Sequence, residues 1–246
     1  MSVLITGGGS GIGEAAARHF AARGAVVTIT GRRSGRIDAV ANAIGCHGLA
    51  GDVAVAADRT RMVEAAVANG GGRLDVLVSN AANMYRGPID QLEEAKILDL
   101  FRVNVIAGMM LAGLCTEHLE RTRGAIIFIG SVHTQRAYPG ASPYAATKGA
   151  IETLTGVLGA ELGQRGIRVN CVRPGAVHTE LNVRAGTADA ASAKQRLEDM
   201  AGAHALNRIG TPEEIAEAIE YMSCAEWTTG TVLSVDGGLG LGVTFA

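Results

Sequence analysis

Apolar residues fall into two alternating patterns along this chain: short unbroken Val/Ile/Leu runs, and longer stretches where apolar positions recur every three or four residues. The first run, "SVLIT" (2–6), gives way to a helical pattern over 11–24. "AVVTIT" (25–30) is followed by a polar stretch and a predicted helix near 36–45, and a weaker strand, "GLAGDV" (48–53), precedes a helix over 59–70. The pattern continues with a strand at 74–79, a long helical region at 91–120, and a strand at 124–131. A helix at 144–164 and strands at 167–174 and 230–238 complete it. Unbroken runs, rather than strict alternation, are expected where helices cover both faces of a sheet. Strands alternating with helices predict βαβ units, hence an α/β fold with a doubly wound parallel sheet of about seven strands. No repeat or linker divides the chain, so residues 1–246 read as one domain. In such sheets ligands bind outside the carboxyl ends of the strands. The least patterned segment, 179–210, falls at that edge and is expected to form a flap over the site.

Composition narrows the class. Apolar residues make up 48% of the chain and charged residues 19%, which fits a compact folded protein rather than a disordered one. A net charge of −2 supplies no basic field for nucleic acid or anionic lipid. The longest apolar stretch, 103–115, reads as too short and too interrupted by glycine to span a bilayer. Cys46, Cys115, Cys171 and Cys224 lie far apart, without the spacing of a zinc site, and read as reduced, buried thiols. No export signal precedes the first strand, so a cytoplasmic protein is expected. Glycine, at 34 residues, is roughly twice its usual share and gathers at candidate strand-to-helix turns.

The first of those turns carries chemistry. In "ITGGGSGIGEAAA", Gly7, Gly11 and Gly13 stand between a strand and a helix, with Ser10 and Ile12 among them. Glycine allows the tight turn and lets the backbone approach a pyrophosphate resting on the helix N-terminus. After the second strand, an NAD-binding fold usually presents an acid to the ribose 2′-hydroxyl. Here the chain reads "TGRRSGR", with Arg32 and Arg33 in that region and Asp38 the next acid. Guanidinium forks suit a 2′-phosphate, and Ser10 can add a donor, so NADP(H) is expected in preference to NAD(H).

A second cluster lies further along. Tyr144 and Lys148 are four residues apart in "PYAATKGA", on one face of a predicted helix. Ser131 ends the fifth strand thirteen residues earlier, and "VRPGAVHTEL" follows the sixth strand at the same sheet edge. Asn104 sits in the long helical region between neighbouring strands.

In this order and spacing, the residues make the chain resemble the short-chain dehydrogenase/reductase family over essentially its full length. The matching positions are Thr6-Gly7-(x3)-Gly11-Ile12-Gly13, Asp52-Val53, Asn80-Ala81-Ala82, Asn104, Ser131, Tyr144-(x3)-Lys148, Pro174 through Thr179, and Val235 through Gly238. The resemblance implies a Rossmann-like sheet, with Asn104, Ser131, Tyr144 and Lys148 as the catalytic tetrad. It implies that Asp52 and Val53 contact adenine and that Asn80 and Ala82 flank the adenosine ribose. Pro174 and Gly175 form a turn at the cofactor edge, where Val177 and Thr179 would hold the nicotinamide carboxamide. Two positions depart from the family pattern: Ala82 replaces a glycine, and Gly130 stands where a serine often precedes the catalytic one.

A free tyrosine, with a pKa near 10, is a poor base at neutral pH. An adjacent Lys148 cation, together with the positive nicotinamide ring of an oxidised cofactor, is expected to lower that pKa, making Tyr144 a proton shuttle to the reacting oxygen while Ser131 stabilises the charge there. The resemblance further implies that Lys148 holds the nicotinamide ribose and that Asn104 anchors a proton-relaying water. The expected activity is NADP(H)-dependent hydride exchange with a small-molecule ketone or secondary alcohol, favouring reduction. NAD-dependent alcohol oxidation and a cofactor-binding sensor or scaffold without turnover are the alternatives. His133, Gln135, Tyr138 and His178 are candidate substrate contacts, and Trp227 reads as a packing residue. Met109 and Met110 suit the core or a subunit interface, and a homotetramer, or failing that a dimer, is implied by resemblance.

Overall fold

The computed structural model describes residues 1–181, 192, 195 and 197–242. Seven strands form one sheet: β1 (Ser2–Thr6), β2 (Val26–Gly31), β3 (His47–Ala50), β4 (Val76–Ser79), β5 (Ala125–Ile129), β6 (Arg168–Pro174) and β7 (Val232–Val235). Their spatial order is β3-β2-β1-β4-β5-β6-β7, and every pair is parallel. The order reverses direction beside β1, between β1 and β4, which opens a crevice at the carboxyl edge. β1 and β5 are buried along their whole length, as their unbroken apolar runs require.

Helices cover both faces. α1 (Gly11–Ala22), α2 (Ser34–Ile44) and α7 (Pro212–Cys224) pack Ala16, Phe20, Ile37, Ile215 and Ile219 against Val3, Ile5, Ile127 and Val172. On the opposite face, α3 (Ala56–Asn69), α5 (Ala107–Thr122) and α6 (Ser142–Gly163) bring Met62, Leu111, Cys115 and Ile151 onto Leu4, Leu77, Ile126 and Val169. α7 has no counterpart among the sequence expectations, although its start is a strong signal. The Thr211 hydroxyl accepts from the Glu214 amide, the Glu214 carboxylate accepts from the Thr211 amide, and Pro212 occupies the first turn.

The long region expected as one helix over 91–120 is subdivided. A 3₁₀ turn (Ile89–Gln91) precedes α4 (Glu94–Phe101), and a π-helical turn (Arg102–Ile106) joins α4 to α5. The continuous helix spans Glu94–Thr122, 29 residues, which is longer than the apolar stretch suggests and long and apolar enough to cross a membrane by length and composition alone. Here it packs one face into the core and leaves Leu98, Ile106, Met109, Met110 and Leu114 exposed on another. Trp227, expected to pack, is fully exposed, and Cys224 is exposed as well. The first lies in the turn beyond α7 and the second at its last residue, where no element among the described residues covers them. Most of the expected flap, 179–210, lies outside the described residues; its described end places Leu197 and Met200 against Val132, Ala176 and Leu239.

Candidate active site

The turn after β1 is built around glycine. Gly7 and Gly11 have φ of +68° and +56°, which L side chains rarely adopt. A Cβ at Gly13 would come within 2.3 Å of the Gly7 carbonyl oxygen. Asn80, at the end of β4, braces the turn by donating its amide to the carbonyls of Thr6 (2.9 Å) and Gly7 (3.3 Å). The Thr6 hydroxyl accepts from the amides of Asn80 and Ala81, both at 3.0 Å. The ends of β1 and β4 are thereby locked together, and Gly11 and Ile12 of the first turn of α1 line the crevice, where a helix N-terminus offers amide donors suited to a pyrophosphate. Ala82 does not have positive φ, so its methyl costs nothing to the backbone there.

A cavity of about 320 Å³ runs along this edge. Gly7, Ser10, Gly11, Ile12, Arg32, Arg33, Asp52, Val53, Asn80, Ala82, Ser131, Tyr144, Lys148, Pro174, Gly175, Val177 and Thr179 all line it. Gly13 and Asn104 stand behind its wall, the first against the glycine turn and the second buried between loop and helix. His178 and Gln135 do not line it, whereas His133 and Tyr138 do.

At one end, Arg33 donates to the Ser10 hydroxyl (3.2 Å) and pairs with the Glu180 carboxylate (2.8 Å), which also holds Arg36 (3.3 Å). Arg32 turns toward Asn83, donating to its side-chain oxygen at 3.3 Å. Ser10 precedes α1 without capping it, so its hydroxyl remains available to a ligand. Glu180 is the unanticipated member: it brings the segment after Thr179 to the guanidinium groups that the sequence assigned to a phosphate.

At the other end, Tyr144 and Lys148 sit one turn apart on α6, 5% and 4% exposed, with the Lys148 ammonium 5.6 Å from the Tyr144 ring centre. Lys148 donates to the carbonyl of Ile129, the last residue of β5, at 2.7 Å. Ser131 follows two residues later, with its hydroxyl 3.0 Å from His133 Nδ1. The Asn104 side chain is held by three hydrogen bonds: it accepts from the Asn83 amide (2.8 Å) and donates to the Asn83 carbonyl (3.0 Å) and the Thr147 hydroxyl (3.1 Å). Both its amide hydrogens are thus taken by protein groups, and the π-helical turn around it aims it at α6.

Electrostatics depart from the simple expectation that Lys148 makes Tyr144 acidic. Burial pushes the Tyr144 phenol up to about 12, with the Ser131 hydroxyl and the Arg86 charge pulling the other way. Burial pulls Lys148 down to about 8, because the ammonium loses water that a single carbonyl does not replace. Burial thus favours the protonated phenol, the form that can donate a proton. His133 is pulled down to about 4 by burial and by the charges of Arg86 and Lys148, so its ring is neutral.

Beneath the site, Glu152 of α6 is clamped by Arg173 (2.9 and 2.7 Å) and accepts from the Thr134 hydroxyl (2.8 Å). A Cβ at position 130 would lie 2.8 Å from the Glu152 carboxylate and 3.0 Å from Cys171 Sγ. Gly130, the second departure from the family pattern, therefore makes room for this ion pair. Arg86, Asn83, Glu152 and Glu180 had no motif to reveal them; each acquires its role from distant partners.

Comparison with known proteins finds relatives over nearly the whole chain. A family model described as enoyl-(acyl carrier protein) reductase matches residues 7–240. The human dehydrogenase/reductase SDR family member 4 is 36% identical, covering 96% of this chain and 86% of its own length. The gluconate 5-dehydrogenase of Gluconobacter oxydans is 31% identical over 96% of this chain and 93% of its own. A crystal structure of 3-ketoacyl-(acyl-carrier-protein) reductase from Brucella melitensis complexed with NADH superposes with a TM-score of 0.87 at 29% identity, covering 97% of each chain.

Proposed function

The chain belongs to the short-chain dehydrogenase/reductase family, an oxidoreductase of alcohol and ketone substrates that uses NAD(P), and from that premise we propose that it prefers NADPH and reduces ketones. The observation that carries the coenzyme preference is the Ser10–Arg33 pair at the carboxyl end of β2, where Arg33 already grips an anionic group, the Glu180 carboxylate. A 2′-phosphate offers the same charge and more acceptor oxygens. Asp52 and Glu180 are the only carboxylates lining the cavity among the described residues, and neither lies on the β2 turn.

The bound nicotinamide supplies the hydride; this chain's residues orient the carbonyl and deliver the proton. Tyr144, protonated at neutral pH, donates to the carbonyl oxygen as negative charge develops there. Ser131 donates a second hydrogen bond to that oxygen. Lys148, fixed at the end of β5 by the Ile129 carbonyl, presents its charge to the cavity it lines and would hold the nicotinamide ribose there. The three bonds on Asn104 tie the loop at Asn83 to α6, and so keep Tyr144 in register. Reduction is the proposed direction, in which Tyr144 acts as the proton donor.

The Arg33–Glu180 pair favours a second reading, in which NAD(H), with a bare 2′-hydroxyl, leaves the ion pair intact during alcohol oxidation. A homotetramer in the cytoplasm is part of the proposal; the exposed apolar residues Ile106, Met109, Met110 and Leu114, and Val157 on α6, support the assembly. Initial rates with NADPH and NADH across ketones and secondary alcohols test the reading. We expect kcat/KM at least about tenfold higher with NADPH, one such factor being worth 1.4 kcal/mol; a preference for NADH selects the second reading. Coenzyme binding without turnover of any carbonyl or alcohol points to a sensor.

A further inference from the structure

Resting on the ketone-reductase reading, we propose that Arg86 and His133 are positioning residues that fix Ser131 as an obligate hydrogen-bond donor to the reacting oxygen. Ser131 can donate one hydrogen bond and accept two, and nothing in its own chemistry dictates which face it shows a carbonyl. The groups around it decide. Arg86 lies 2.8 Å from His133 Nε2, and a guanidinium can only donate, so Nε2 must accept. A neutral imidazole with its Nε2 lone pair engaged carries its single proton on Nδ1. Nδ1 faces the Ser131 hydroxyl oxygen at 3.0 Å, and donates to it. The His133 backbone amide donates to the same oxygen at 3.4 Å. With both acceptor positions filled, the Ser131 hydrogen is left for the cavity, where Tyr144 waits.

The frame is rigid. The His133 ring stacks on Tyr138 with centres 4.4 Å apart and meets the edge of Tyr144 at 5.2 Å, so its plane cannot swing freely. The loop bearing Arg86 is tied to the loop bearing Tyr138 by the Gly87 amide, which donates to the Gly140 carbonyl at 2.9 Å. Reversing the tautomer would set an Nε2 hydrogen against a guanidinium hydrogen and would turn a lone pair toward Ser131. The serine would then donate inward, to histidine, and offer the substrate only lone pairs.

Two measurements test this. In protein labelled with nitrogen-15 on histidine, the ring nitrogens of His133 should show the Nδ1–H form at pH 7, shifting to a mixture in Arg86→Met. An Nε2–H form in the unmodified protein overturns the proposal. In kinetics, His133→Phe keeps the stacking ring but removes both nitrogens. It should lower kcat for carbonyl reduction about tenfold with the KM for NADPH unchanged, less than the loss of an oxyanion donor itself. His133→Asn, which keeps a donor near the Nδ1 position, should recover most of that loss; equal kcat in unmodified protein and His133→Phe overturns the relay while leaving the reductase reading intact. An Nδ1–H signal in a protein that reduces no carbonyl supports the hydrogen-bond assignment and removes only the reductase reading.

Discussion

The two ends of the cavity are built on opposite principles. At the carbonyl end, Asn104, Ser131, Tyr144 and Lys148 are all under 10% exposed, and each is engaged by neighbours on another element. At the end beside β2, Arg32, Arg33 and Arg36 are exposed, and their partners Asn83 and Glu180 come from distant segments. Burial makes the first end sensitive to a single missing atom, because a displaced donor or unpaired charge finds no water to compensate it. Exposure makes the second tolerant and adjustable, since salt and side-chain motion dilute each ion pair. The proposed chemistry sits at the rigid end and the proposed coenzyme choice at the soft one.

The sharpest way to break this contrast is Tyr144→Phe. The ring stays packed against His133 while the transferable proton is lost, so kcat should fall about a thousandfold with coenzyme binding, followed by fluorescence titration, unchanged. Loss of coenzyme binding in that variant would mean that the rigid end is a binding site and not a reaction centre. At the soft end, Arg33→Ala should raise the KM for NADPH on the order of thirtyfold and leave that for NADH alone, as loss of a charge-assisted bond predicts. Arg32→Ala, whose side chain reaches Asn83 instead of Ser10, should do less. Glu180→Gln should move NADPH affinity the other way, tightening it by a few-fold as its competing carboxylate is neutralised. Equal shifts for NADPH and NADH in Arg33→Ala would contradict the phosphate assignment. Beneath the rigid end, Gly130→Ala drives a methyl into a clamped carboxylate and a buried sulfur. It should cost about 1–3 kcal/mol in denaturant unfolding, overpacking having no outlet there. A neutral result would show that the Glu152–Arg173 pair yields.

Much of the fold is legible in the sequence because it depends on local spacing. The unbroken runs of β1 and β5 and the strand-turn-helix glycines report conditions met within a few residues. So does the four-residue step from Tyr144 to Lys148, which a helix converts directly into proximity. The failures differ in kind. The capping box that starts α7 is followed by Ile215, Ile219 and Met222 at helical spacing, a local signal as plain as the others, whereas the π-helical turn at Asn104 lies inside a continuous helical pattern.

The sequence by itself determined the seven strands and most of the helices between them, the glycine turn between the first strand and helix, and the tyrosine-lysine step on one helix face. Tertiary structure alone decided which groups surround them. Arg86 meets His133 across 47 residues, and Arg33 meets Glu180 across 147. It also decided that burial, rather than the nearby ammonium, governs the acidity of Tyr144. Periodicity carries the first kind of information because backbone geometry repeats every few residues. The second depends on which distant side chains share one water-excluded volume, and that exists only once the sheet has assembled.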